Sequence, residues 1–142
     1  MRKSDMRTRI LFICTQNAGR SQMAEGYLRA RYGDRYEVFS AGTNQSRVSR
    51  KAISVMQEIG VDMSGQRSKP LVEFTGKEID IAVTLCDNAH TVCTMFPWAK
   101  EIIHQSFPDP GNFTGTDVEI MDQVRAVRDG ITRWIDERFG SS

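Results

Sequence analysis

No apolar run in these 142 residues approaches the roughly 18 that a membrane span needs, so no membrane partner is expected. Charge of one sign is not in excess either. Nineteen basic residues face 18 acidic ones, for a formal net charge of +1, which gives no reason to expect nucleic acid as a partner. The charged N-terminus "MRKSDMRTR" lacks the apolar stretch of a signal peptide, and a cytoplasmic protein is expected. Repeats, low-complexity tracts and linkers are missing too, so residues 1–142 are expected to form a single domain. Cysteine is scarce and odd in number: Cys14, Cys86 and Cys93. That count argues against a structural disulfide framework in this compartment. Each thiol is left as buried filler, metal ligand or reactive group.

What is present alternates between two periods. Residues 8–14 carry consecutive Ile10, Leu11, Phe12 and Ile13, the pattern of a buried strand. From Ser21 the spacing turns helical, with Met23, Ala24, Tyr27, Leu28 and Tyr32 on one face and Gly33 as a stop. "YEVFSAG" (36–42) reads as a second strand, 49–59 as a helix before Gly60, "IDIAVTLC" (79–86) as a third strand and "EIIHQSF" (101–107) as a fourth. A last helix is expected over 116–139, with Gly130 as an internal weak point. Strands alternating with helices predict an α/β fold, a four-stranded parallel sheet with helices on both faces. Cys14, Cys86 and the loop holding Asp109 would then rise on the carboxyl edge, where ligands of such sheets bind.

The segment "TRILFICTQNAGRS" joins a strand to a helix through a short polar loop. Amide groups of Thr15, Gln16, Asn17, Ala18 and Gly19 can converge on an anion there, helped by the positive end of the helix. Asn17 and Gly19 suit unusual backbone angles. Arg20 adds a planar fork of donors for a tetrahedral oxyanion, and Ser21 can donate to the Cys14 sulfur. The same surroundings favour a reactive thiolate. A nucleotide-binding Walker loop is excluded because "GKS" or "GKT" is missing. A zinc site of cysteines with His90 and His104 fits no common spacing, and no metal is expected.

The segment "ILFICTQNAGRSQMAEG" resembles the low-molecular-weight protein tyrosine phosphatases and the thioredoxin-coupled arsenate reductases that share their fold. "SAG" at 40–42, "TLC" at 84–86 and "DP" at 109–110 extend the resemblance. It implies a nucleophile Cys14, an oxyanion-binding Arg20 and a proton donor Asp109. "CDNAHTVC" matches the pair of cysteines that the reductases carry after "TLC", and "DPGNFTG" lacks the aromatic residue that usually follows "DP" in the phosphatases. The implied activity is reduction of arsenate to arsenite through Cys14, Cys86 and Cys93, with thioredoxin as reductant and no cofactor. Phosphate and sulfate would compete for the cradle, weak phosphatase activity would accompany it, and a monomer is expected. The alternatives are a phosphatase working through a Cys14 phosphocysteine and, third, a non-enzymatic oxyanion-binding module.

Two departures from the resembling families stand out. Gly19 occupies a place where members often have a second cysteine. Some reductases bind potassium through Asn, Glu, Ser and Asp. Asn17, Glu25 and Ser40 match the first three, and Lys69 falls at the fourth. That charge reversal leaves two readings: the Lys69 ammonium stands in for the ion near Asn17 and Glu25, or Lys69 is an ordinary solvent-exposed lysine. Cys86 and Cys93 carry a further expectation. Seven residues of α-helix advance roughly 10.5 Å, whereas a disulfide tolerates a Cα separation of about 7 Å at most. A helical segment 86–95 would have to loosen before the two cysteines bond.

Overall fold

The computed structural model describes residues 7–85 and 98–140. Cys86, His90 and Cys93, and with them the expectation for the segment 86–95, lie outside the described residues. Four strands, β1 (Thr8–Cys14), β2 (Tyr36–Gly42), β3 (Ile79–Thr84) and β4 (Ala99–His104), form one parallel sheet in the order β2-β1-β3-β4. Three α-helices accompany them among the described residues: α1 (Arg20–Tyr32), α2 (Arg50–Gln57) and α3 (Asp117–Phe139).

β1 is central because both of its faces are apolar. Ile10, Phe12 and Cys14 lie in the cluster that includes Met23 and Leu28 of α1, Val55 and Met56 of α2, and Ile131 and Ile135 of α3. Leu11 and Ile13 alternate with them and join Leu71, Phe74, Ile79 and Ala82 on the other face. Fully burying each large side chain of this kind is worth about 1.5–3 kcal/mol. Helices were expected on both faces. Among the described residues the three α-helices share the first face, and a 3-10 turn, Leu71–Phe74, covers the second.

Two strands differ from their expected limits. β3 ends at Thr84 rather than at Cys86, and β4 runs Ala99–His104 rather than 101–107. The backbone beyond β4 serves the site instead of the sheet. The Phe107 N–H donates to the Leu85 carbonyl at 3.1 Å, and the Phe107 carbonyl accepts from Arg20 at 3.1 Å. Gly130 does not interrupt α3, which is continuous for 23 residues. A Cβ there would meet the Phe107 ring at 3.5 Å, an ordinary contact distance. The helix start is well specified: Thr116 accepts from the Glu119 N–H while the Glu119 carboxylate accepts from the Thr116 N–H.

The chain goes from β1 to β2 on one side and then crosses to β3 on the other. The crevice beyond the carboxyl ends of β1 and β3 opens at that reversal, where such sheets bind ligands. Cys14 is the last residue of β1 and stands at this point. No helix among the described residues is long and apolar enough to cross a membrane.

Candidate active site

Residues 15–19 leave β1 and deliver the chain into α1. Their shape is imposed from behind. The carbonyls of Cys14, Thr15, Gln16 and Ala18 accept from the N–H groups of Thr43, Asn44, Ser46 and Ser49, at 2.7–3.2 Å. The N–H groups of Thr15 to Gly19 have no such acceptor among the described residues. They are the donors that an anion would use. Gly42 makes this arrangement possible. A Cβ on it would lie 2.7 Å from the Thr15 oxygen and 2.8 Å from the Asn17 nitrogen.

Asn17 has a φ of 52°, and it alone among the described non-glycine residues has a positive φ. Its buried amide is fully used. Oδ1 accepts from the Lys69 N–H at 2.8 Å and from Gln22 at 2.9 Å; Nδ2 donates to Ser21 at 2.7 Å and to Ser40 at 2.9 Å. Gly19, expected to share the unusual conformation, has a φ of −116°, which any residue adopts. The loop therefore turns on Asn17.

Ser21 Oγ lies 2.8 Å from Cys14 Sγ. Because that oxygen already accepts from Asn17, its own proton is free to point at the sulfur. The hydroxyl is thereby placed to hold the nucleophile candidate's sulfur at the end of β1. Arg20 is buried and braced: Nη1 donates to the carbonyls of Leu85 at 3.3 Å and Phe107 at 3.1 Å. Its Nη2 lies 3.7 Å from Asp109 Oδ2. Asp109 follows β4, is about half exposed, and is fixed by the Gly111 N–H donating to its Oδ1 at 2.9 Å. Cys14, Arg20 and Asp109 line one cleft of about 250 Å³, together with Thr15, Gln16, Ala18 and Gly19. The sequence-based site residues among the described part of the chain thus meet in one place, with Asn17 and Ser21 supporting them from beneath.

Behind the loop sits a buried ionic cluster. The Lys69 ammonium donates to the Arg67 carbonyl at 2.8 Å and lies 3.4 Å from both Glu25 Oε1 and Ser40 Oγ. Ser40 also donates to Glu25, and Arg29 pairs with the second Glu25 oxygen at 2.6 Å. Burial pulls the Lys69 ammonium below its ordinary pKa, and the Glu25 carboxylate opposes that. The side chains of Glu25 and Ser40 thus meet the ammonium, while Asn17 takes the Lys69 backbone N–H.

Several contributors are not foreseen from the sequence. Gln22, a polar residue on the inward side of α1, holds Asn17 and the Arg67 carbonyl. Gly42 reads in the sequence only as the end of a strand. Ser49 and Lys51 line the cleft from α2. Gln22 gives no signal of its role either, because its helix face also carries Glu25, Gly26 and Arg29.

With this geometry in view, the comparisons are specific. The profile of the low molecular weight phosphotyrosine protein phosphatase family matches residues 9–133. An arsenate reductase of Halalkalibacterium halodurans is 42% identical over 126 residues, covering 89% of this chain and 91% of that protein. A structure described as an arsenate reductase in reduced state superposes with a TM-score of 0.76 at 29% identity, covering 94% and 97% of the two chains. The low molecular weight protein tyrosine phosphatase of T. tengcongensis superposes with a TM-score of 0.78 at 25% identity, covering 92% and 96%. A parallel sheet that presents Cys14, Arg20 and Asp109 in one cleft, and these matches along nearly its whole length, mean that the chain belongs to the low molecular weight phosphotyrosine protein phosphatase family.

Proposed function

We propose that this chain reduces arsenate to arsenite and is regenerated by thioredoxin. The observation that carries the reading is the shared cleft of Cys14, Arg20 and Asp109, taken with relatives named arsenate reductase. Cys14 attacks the arsenic of a bound arsenate, held by the loop N–H groups and the Arg20 guanidinium. A sulfur–arsenic bond forms, and the departing oxygen leaves as water with a proton from Asp109. Cys86 then attacks the Cys14 sulfur. The sulfur–arsenic bond breaks, its electron pair stays on arsenic, and arsenite departs from a Cys14–Cys86 disulfide. Cys93 attacks Cys86 and frees Cys14, and the Cys86–Cys93 disulfide passes its oxidation to the dithiol of thioredoxin. Two thiols supply the two electrons that arsenate accepts. The roles of Cys86 and Cys93 rest on their match to the reductases.

Phosphate ester hydrolysis is the second reading, favoured by the fact that it needs only the cleft residues. Cys14 would take the phosphoryl group, Asp109 would protonate the leaving oxygen, and water would release phosphate. In either case a cytoplasmic monomer is the expected form. The deciding experiment measures arsenate reduction with thioredoxin, thioredoxin reductase and NADPH beside hydrolysis of para-nitrophenyl phosphate. Hydrolysis with no arsenate reduction would reverse the order of the two readings.

A further inference from the structure

Lys51 has no part in the chemistry above, yet it lines the same cleft. It is exposed and sits in the first turn of α2. No carboxylate pairs with its ammonium among the described residues. Its position is unfavourable for the helix. The first turn of α2 holds Arg50 and Lys51 and no acidic residue, although a helix N-terminus is already positive. Each such cation opposes the dipole of the helix start. Helix stability therefore gives no reason for the residue.

The helix start is tied to the oxyanion loop. The Ser49 N–H donates to the Ala18 carbonyl at 2.9 Å, and Ser49 Oγ accepts from the Ala52 N–H at 3.3 Å. Lys51 is thus anchored near the loop, with a four-carbon stem free to move its charge. Arg20 and Lys51 are the cations of the cleft lining, and Asp109 is its carboxylate. Arg20 is engaged by two carbonyls and lies beside Asp109, whereas the Lys51 charge is unspent. Among the described residues the lining includes no aromatic ring on which an aryl group would stack.

We propose that Lys51 is a specificity-determining residue. It draws free, doubly charged oxyanions of the arsenate type into the cleft, while an aryl ester finds no ring to pack against. The inference rests on the reading of this cleft as an oxyanion site and names the anions that it favours.

The test is sulfate protection of Cys14 from iodoacetamide, read by mass spectrometry of the Cys14 peptide, in Lys51→Gln and Lys51→Glu proteins. The half-protecting sulfate concentration should rise about threefold to tenfold in Lys51→Gln and further in Lys51→Glu. The difference should shrink as ionic strength approaches about 1 M. Lys51→Glu should also melt at a higher temperature than the unsubstituted protein, because an anion replaces a cation at the helix start. Weaker protection together with higher stability is a combination that a merely structural lysine does not give. Unchanged half-protection in both variants would overturn the proposal. In a third variant, Lys51→Phe, the ratio of kcat/KM for para-nitrophenyl phosphate to that for arsenate should rise; a fixed ratio would overturn the discrimination against esters. Failure of the reductase reading looks different: no arsenate reduction by the unsubstituted protein, with sulfate protection still dependent on Lys51.

Discussion

The Lys69 ammonium lies 3.4 Å from the Glu25 carboxylate, with both side chains buried, and Ser40 links the pair to Asn17 of the oxyanion loop. An ammonium in this position supplies, from within the chain, a positive charge that the surrounding oxygens require. Activity and melting temperature are therefore expected to be the same in potassium and sodium at fixed ionic strength. A marked potassium-specific gain in either would contradict this role. Lys69→Met should destabilise the protein by about 2–3 kcal/mol in urea denaturation, less than for a carboxylate left wholly alone, because Glu25 keeps Arg29 and Ser40.

Two glycines near the loop should respond in opposite ways. Gly42→Ala would press a methyl group to 2.7 Å from the Thr15 oxygen and 2.8 Å from the Asn17 nitrogen. The loop must shift, and Cys14 alkylation should lose its protection by sulfate. Gly19→Ala meets only Pro110, at an ordinary 3.8 Å, and should retain that protection. Equal behaviour of the two variants would mean that Gly42 does not shape the loop.

The central strand, the nucleophile loop and the helices are legible in the sequence because their signals are local and strong. Ile10 to Ile13 form an unbroken apolar run, and α3 repeats its apolar residues along its length. The supports of the loop are only partly legible: the resemblance brings Asn17, Glu25, Ser40 and Lys69 together, but contacts from distant backbone leave no mark in the residue types. Lys69 reaches Asn17 through its backbone N–H, which no residue type announces. Gly42 matters because another stretch of backbone passes against it. The limits of β4 differ from the expected ones for a related reason: Phe107 is apolar enough for a strand, but its backbone groups are taken by Leu85 and Arg20.

Cysteine substitutions separate the steps. Cys14→Ser should abolish both arsenate reduction and ester hydrolysis. Cys86→Ser should stop multiple-turnover reduction yet leave any hydrolysis, which needs only nucleophile and cradle. Retained multiple-turnover reduction in Cys86→Ser would break the relay.

Asp109→Asn removes the proton donor without removing the cradle. The rate should fall about 10²- to 10⁴-fold, with sulfate protection of Cys14 largely kept. A variant of nearly full rate would assign the proton to another group.

Acid should weaken the contact between α2 and α3. Hydrogen bonds from Arg125 and Arg128 bring the Glu58 carboxyl from an ordinary 4.5 down to about 2. A carboxyl lowered on folding contributes stability above its unfolded value and loses it as pH falls toward the folded one. The loss attributable to Glu58 is therefore expected between about pH 4.5 and 2, reduced by salt because the group is exposed. Melting curves of Glu58→Gln should show a shallower decline across that interval; an identical slope would remove Glu58 from the acid response.

All four hydrogen-bonding positions of the Asn17 amide are occupied inside the protein. The cradle it shapes is thus assembled before any anion arrives, and it grips through backbone donors and charge. Such a grip sees four oxygens around a centre and is nearly blind to the element in the middle. Phosphate would occupy it almost as readily as arsenate. On the proposed reading, selection between them falls to the chemistry after capture: thiols reduce arsenic(V) to arsenic(III) but do not reduce phosphorus(V), so a captured phosphate goes no further. On that reading the loop is a waiting place, and the redox step behind it makes the choice.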